Sequence, residues 1–413
     1  MAAEPLAAVD AQFYWMSAKI PSDEFLLYAF DGEPADYPAA VDHVRSRAGA
    51  DPALTLRVED GSPLTYPRWV PSAVTPEWVV RHDLDDRSWA GCLAAVLALA
   101  GDQLDVRRMP WRLHVFTPVP DIPGVNGSGT VAVLQVAHAL ADGARAAAMA
   151  GWLFGRPDPV PRVQRLRAGF LPWRAAQAAR AHRRLVAETR AGLLSPPPGP
   201  RPLLPTNARP GAARSVRTLV RHRKQLRGPT VTVGALSAIS TALSNLLGDV
   251  ADTAGAEVPM AKPGAAHAHN HFGNVVVGLY PRLGSPARAE RIAAELAAGR
   301  SRFSHPATRY ADRAFAAVPA PLLRWGVAQF DPDIRPTQVS GNTVVSSVNR
   351  GGADLTFGGA RVVLTAGFPA LSPAMGLTHG VHGIGDTIAI SVHAAATAVP
   401  DIDAYLELLD AAL

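Results

Sequence analysis

The sequence predicts a mixed α/β (α+β) protein built as two lobes, with a substrate crevice between them. Three observations carry that expectation. Short β-branched runs alternate with Ala-rich helical runs along the chain. A proline-dense segment near the middle interrupts both patterns. The chain has 413 residues, 48% of them apolar, whereas single cores stop growing near ~250–300 residues.

Residues 130–136, 275–280, 343–348, 360–364 and 387–392 read as strands. Residues 91–100, 144–154, 174–190, 235–247, 288–302 and 401–412 read as helices. Ile384-Gly-Asp386-Thr reads as a hairpin turn, since Gly and Asp tolerate positive φ. Five prolines in Ser195-Pro-Pro-Pro-Gly-Pro-Arg-Pro allow neither a helix nor a central strand, so that stretch reads as an extended crossing linker. The expected division is therefore an N-terminal lobe over 1–190, a linker over 191–215 and a C-terminal lobe over 216–413. No repeat at solenoid or propeller periods is seen.

The single cysteine, Cys92, sits in an apolar helical run; it excludes an internal disulfide framework and reads as inert core. Residues 1–14 carry Glu4 and Asp10 and show no basic start followed by an apolar run, so no signal peptide is expected. The longest apolar stretch, 89–100, is shorter than the roughly 20 residues a bilayer needs. The expected location is cytoplasmic, at most peripheral to a membrane.

The net charge of +5 is uneven. Residues 162–227 hold 16 Arg or Lys and one acid, Glu188, which is +15 and leaves −10 elsewhere. Within that segment Arg180, Arg183 and Arg184 are candidates to bind the phosphates of CoA or of a phosphopantetheinyl carrier protein. A solvated helix and a membrane or lipid-droplet surface are the other readings. Nucleic acid is not expected as a partner, because few aromatics interleave the cations and no recognisable module is present. His267-Ala-His269-Asn-His271 has two-residue spacing but no carboxylate or thiolate nearby, so no metal and no bound cofactor are expected. His379 and His382, among glycines, read as strand and turn residues. Gly-x-Ser-x-Gly and Walker-type sequences are absent, which disfavours a serine hydrolase or P-loop enzyme.

The motif that suggests chemistry is His138-Ala-Leu-Ala-Asp142-Gly143, between a strand ending at 136 and a helix over 143–154. A histidine at a strand end can be held at fixed orientation while facing a cavity. A base near neutral pKa suits deprotonation of an alcohol or amine attacking an acyl carbon. Asp142 is placed to lock the loop by pairing with a cation, and Gly143 to let the chain turn into the helix. The bland reading of His138 is a core or surface histidine.

Several segments together resemble the bacterial wax ester synthase/diacylglycerol acyltransferase family, within the wider group of CoA-dependent acyltransferases and peptide-synthetase condensation domains. Ala8-Val-Asp10-Ala-Gln-Phe-Tyr-Trp15 is similar to the family's opening segment, and Leu104-Asp105-Val-Arg-Arg-Met-Pro110-Trp111-Arg-Leu-His114 to its stretch before the active-site strand. Asn270-His-Phe272-Gly273-Asn274 resembles an Asn-Arg-Phe-Gly segment, and Val399-Pro400-Asp401 the start of the final helix. The resemblance implies two lobes of the chloramphenicol-acetyltransferase type around a tunnel, with His138 as general base and no covalent acyl-enzyme. It implies an acyl thioester as donor, from CoA or a carrier protein, and an alcohol or amine as acceptor. Asn270, Gly273, Asn274, Ser346, Ser347 and Asn349 become the candidates to contact substrate or stabilise the oxyanion.

Three departures shape the expectation. The first of the family's two adjacent histidines is Ala137 here, its Asn-Asp pair is Thr232-Val233, and its Ser/Thr-Asn-Val-Pro-Gly segment is Ser346-Ser347-Val348-Asn349-Arg350-Gly351. Neighbouring strand residues point to opposite faces, so losing the first histidine need not remove the base. A specialised natural-product or lipid acceptor is therefore expected, with a non-catalytic acyl- or protein-binding descendant as the alternative.

Overall fold

A computed structural model describes residues 3–413. The N-terminal half runs β1 (Glu4–Pro5), α1 (Ala8–Ser17), β2 (Glu24–Asp31), α2 (Tyr37–Ala50), β3 (Leu56–Glu59), β4 (Arg68–Pro71), β5 (Val79–His82), α3 (Trp89–Leu99), β6 (Trp111–Pro120), β7 (Ser128–Val136), α4 (Gly143–Leu153) and α5 (Leu171–Arg190). After the prolines come β8 (Arg201–Pro202), β9 (Arg214–His222), α6 (Val231–Leu247), β10 (Gly255–Ala261), β11 (Phe272–Gly278), α7 (Ser285–Ser304), α8 (Pro306–Ala316) and α9 (Ala320–Ala328). The chain closes with β12 (Gln338–Val339), β13 (Thr343–Asn349), β14 (Thr356–Phe357), β15 (Ala360–Gly367), β16 (Leu377–Ile384), β17 (Thr387–Ala395) and α10 (Ile402–Ala412).

Two six-stranded sheets organise these elements. The first has the order β14-β15-β2-β7-β6-β5 and the second β11-β10-β13-β16-β17-β9. β2 shows how the first sheet is buried on both faces. Its Leu26, Tyr28 and Phe30 enter the N-terminal core, while Phe25, Leu27 and Ala29 enter a cluster with Cys92 and Val96 of α3 and with Val216 and Ala389 of the second sheet. That second cluster glues the lobes. The C-terminal lobe has its own core of α6, α7 and α10 against the second sheet.

The sheet order corrects the expected division of the chain. Residues 356–367 belong to the C-terminal half in sequence, yet β15 pairs with β2 and β14 pairs with β15, so they extend the N-terminal sheet. Chain order and lobe membership therefore part company after β13. The crossing linker also contains a short strand, β8, paired with β12.

The longest apolar segment is not the one picked from the sequence. Among the described helices Val231–Thr253, with 23 residues, is long and apolar enough to cross a bilayer. It instead forms the heart of the C-terminal lobe, packed by α7 and α10, and 56% of its most apolar window is buried there.

A polar chain crosses the same core: Thr343 Oγ1 lies 2.9 Å from His379 Nδ1, and His379 Nε2 lies 2.9 Å from the Tyr405 hydroxyl. All three side chains are buried, which makes His379 a structural residue. Tyr405→Phe leaves His379 Nε2 unpaired in that core. It should cost about 1–3 kcal/mol in chemical denaturation, and an unchanged midpoint would refute the role given to this chain.

Candidate active site

His138 lies two residues past the end of β7, at the lobe boundary. Its Nδ1 is 3.2 Å from the Ala141 carbonyl. A carbonyl only accepts, so Nδ1 carries the proton and Nε2 is left with its lone pair. The ring is stacked on Phe13 of α1 at 4.0 Å between centroids and lies 5.8 Å from the ring of Phe272 in β11. Burial pushes its pKa below the ordinary 6.5, opposed by its hydrogen bonds and by the Asp142 carboxylate. It is a neutral imidazole at neutral pH.

Asp142 is the N-cap of α4, and its two carboxylate oxygens have different duties. Oδ1 accepts from the Arg145 amide at 2.9 Å, and Oδ2 accepts from the His271 amide in the opposite lobe, also at 2.9 Å. Among the described residues no cation lies within ion-pairing distance of it, so the expected pairing with a cation is replaced by two backbone amides. Asp10 of α1 repeats the device. It accepts from the amides of His269 and Asn270 and from the Asn270 side chain, each at 3.0 Å. Burial raises its pKa to about 6 even against those hydrogen bonds. The Asn270 amide also donates to the His138 carbonyl at 2.7 Å, which fixes the strand end that carries the base.

A cavity of about 680 Å³ opens in front of His138, lined by Asp142 and Gly143 on one side and by Ser346, Ser347 and Asn349 of β13 on the other. Ser347 Oγ is 2.8 Å from Thr232 Oγ1, and the Asn349 side chain accepts from the Gly351 amide at 3.0 Å. The Ser346 hydroxyl and the Asn349 Nδ2 are therefore the donors of the three without a partner among the described residues. A second cavity of about 650 Å³ is lined by Leu6, Val9, Phe13, Met16 and Phe315, and Ile20, Ser22 and Phe272 line both cavities. His138 thus faces the first cavity beside Phe272, one of the residues the two cavities share.

Other sequence candidates fall elsewhere. Asn270 holds backbone and does not face the cavity in front of His138. Gly273 and Asn274 are also outside it: a Cβ on Gly273 would come 2.8 Å from Phe303 of α7, and Asn274 donates to Glu257. The backbone of Gly143 has no positive φ, so it does not serve a sharp turn. A side chain there would lie at ordinary contact with Val348 and Glu24, on the cavity wall. His382 lines the cavity, whereas His267 and His271 face each other with ring centroids 5.9 Å apart beside the second cavity and His269 packs, half-buried, against Trp69.

Arg180 and Arg184 line a groove of about 640 Å³ between α5 and α8, facing Arg309 and Arg313 and flanked by Trp173 and Tyr310; Arg183 does not line it. Sequence reasoning missed Phe13, Glu24 and Arg350, and gave Asp10 no role. An acid inside the apolar run Ala8-Val-Asp10-Ala was the available signal for the last.

Residues 268–413 match the family described as the WS/DGAT C-terminal domain. The fold is that of wax ester synthase/diacylglycerol acyltransferase from Marinobacter aquaeolei VT8, at 18% identity and TM-score 0.64, covering 99% of this chain and 97% of that one. It is also the fold of the first condensation domain of the CDA synthetase, at 14% identity and TM-score 0.61, covering 100% and 96% of the two chains. The starter condensation domain of rhizomide synthetase, solved as a variant with C8-CoA and Leu-SNAC, follows at 14% identity and TM-score 0.59, covering 99% and 94%. The expected two-lobed fold is therefore present. No curated protein matches the sequence.

Asp142→Ala removes a helix cap and a bond between the lobes. It should lower the melting temperature by several degrees and kcat together, since the cap alone is worth about 0.5–2 kcal/mol. An unchanged melting temperature with a collapsed kcat would instead give Asp142 a part in the chemistry.

Proposed function

We propose that the protein transfers an acyl group from a thioester to a hydroxyl or amine, with His138 as general base. The observation that carries this reading is the neutral imidazole of His138, its tautomer set by Ala141, facing a cavity between the lobes. Nε2 takes the proton of the acceptor as its heteroatom attacks the acyl carbon. The developing oxyanion needs a donor across the cavity, which the Ser346 hydroxyl supplies. The tetrahedral intermediate then expels the thiolate, which leaves as the thiol with a proton from the site. The family match over 268–413 supports acyl transfer, as do relatives of the same fold that handle acyl thioesters.

The donor reading extends to the α5–α8 groove. α8 separates that groove from the second cavity, since Arg309 and Arg313 face the former while Asp312 and Phe315 face the latter. Arginine forks suit the phosphates of CoA or a phosphopantetheinyl arm, and the apolar cavity suits an acyl chain. Double replacement of Arg180 and Arg309 by Gln should raise donor KM several-fold and leave acceptor KM unchanged, and it should weaken the salt dependence of the wild type. If donor KM is insensitive both to salt and to these changes, the groove plays no part in donor binding.

His138→Ala should lower kcat by ~10²–10⁴ while folding normally. Because burial depresses the His138 pKa, the acid limb of the wild-type kcat/KM profile should lie below pH 6.5. A thiol-release assay over a panel of acyl-CoAs checks both. Turnover that survives in folded His138→Ala refutes the assignment, and a wild type that binds acyl-CoA without releasing thiol would mark a non-catalytic binder.

A further inference from the structure

The cavity in front of His138 holds a second group able to take a proton. Glu24, the first residue of β2, lines it, and its Oε1 lies 3.9 Å from His138 Nε2. Both side chains are mostly enclosed, at 23% and 17% exposure. A direct hydrogen bond needs roughly 2.7–3.2 Å, so the two groups do not satisfy one another. Nor does anything else satisfy Glu24. Among the described residues no hydrogen bond reaches its carboxyl and no cation pairs with it.

The surrounding charges are accounted for. Asp142 faces Glu24 from the start of α4, and Arg350 from the end of β13. The Arg350 guanidinium is engaged with the carbonyls of Leu27 and Ala366, with Thr365 and with the Tyr28 ring. Asp23, the residue before β2, also borders the cavity, but its Oδ2 accepts from the Leu104 amide and the Gln135 side chain.

Resting on the acyl-transfer reading above, we propose that Glu24 and His138 act as a paired acceptor for one nitrogen, which makes the acceptor substrate a primary amine and the product an amide. A nitrogen about 2.9 Å from both acceptors would see them roughly 85° apart, within reach of two N–H bonds of one ammonium. An alcohol has one O–H and can donate to only one of the two.

The proton count requires the pair. An amine arrives as R-NH₃⁺, whose nitrogen has no lone pair to attack with. Glu24, mostly protonated in the empty site, reacts as the carboxylate that the charge of the arriving ammonium stabilises; it takes one proton and frees R-NH₂. The nitrogen lone pair then forms the C–N bond to the acyl carbon, and His138 Nε2 takes the second proton. Collapse of the tetrahedral intermediate breaks the C–S bond and expels thiolate. One of the two held protons makes the thiol, and the other leaves to solvent. Burial pushes the Glu24 carboxyl up to about 8, with Asp142 adding to the shift and Arg350 opposing it. An ordinary carboxylate near ~4.3 would be about 6 units too weak to take a proton from an alkylammonium near ~10.4, and Glu24 narrows that gap to a few units.

The test uses octylamine and octanol with the full-length protein and the acyl-CoA it turns over fastest. Glu24→Gln should lower kcat/KM for octylamine at least ~10²-fold and that for octanol no more than a few-fold, because a site built for two donors discriminates by the donor lost. Glu24→Asp should recover part of the amine activity. Without any donor, calorimetry should show octylamine binding at least ten-fold more weakly to Glu24→Gln than to wild type, at equal melting temperature. Equal losses for amine and alcohol, or octylamine binding indifferent to Glu24, would overturn the proposal while leaving acyl transfer intact. Glu24-dependent octylamine binding without thiol release from any acyl-CoA would instead sink the acyl-transfer reading and leave the ammonium site standing.

Discussion

Two carboxylates of the N-terminal lobe, Asp10 and Asp142, hold three consecutive backbone amides of the other lobe, those of His269, Asn270 and His271. Buried anions are costly unless their lone pairs are used, and here peptide N–H groups use them. The arrangement determines more than stability. The same loop carries Asn270 to the His138 carbonyl and leads into β11, whose Phe272 flanks the imidazole. The orientation of the base is therefore a property of the contact between lobes, and neither lobe has it alone.

The proton affinities in the site follow from how far that contact buries its ionisable groups. Phe13 and Phe272 enclose the ring of His138, and the Ala141 carbonyl holds its Nδ1 proton. An imidazole so placed resists protonation at rest, yet it gains a proton readily when positive charge is matched by developing negative charge nearby. Glu24 is subject to the same desolvation with the opposite sign, and its carboxyl, pushed up to about 8, ends above the imidazole in proton affinity. An environment that inverts the usual order of a carboxyl and an imidazole keeps both uncharged until a charged group arrives beside them.

Six of the helices were legible because they keep an Ala-rich apolar pattern, whereas α1, α2, α8 and α9 were not read as helices. α4, α5, α7 and α10 begin and end within three residues of the expected ranges. The strands that alternate or stand between turns, such as β13 and β17, were legible too. β2, β6 and β16 were not, since strands buried on both faces lose the period of two that identifies them. His138 was found because the loop motif is local. The partners of Asp142 could not be, because His271 lies 129 residues away and a backbone amide has no sequence signature. Glu24 was invisible for a related reason: an acid preceding Phe25-Leu-Leu-Tyr-Ala-Phe30 reads as the wet end of a strand.

The return of β14 and β15 to the N-terminal sheet has a kinetic consequence. The walls of the cavity between the lobes are stitched on one flank by that strand exchange and on another by the carboxylate-bound loop at 269–271. Walls joined on both flanks do not swing apart like jaws. An occupant of the cavity in front of His138 would therefore come and go along the seam between the lobes, as a cord is drawn through an eyelet, rather than through a parting of them.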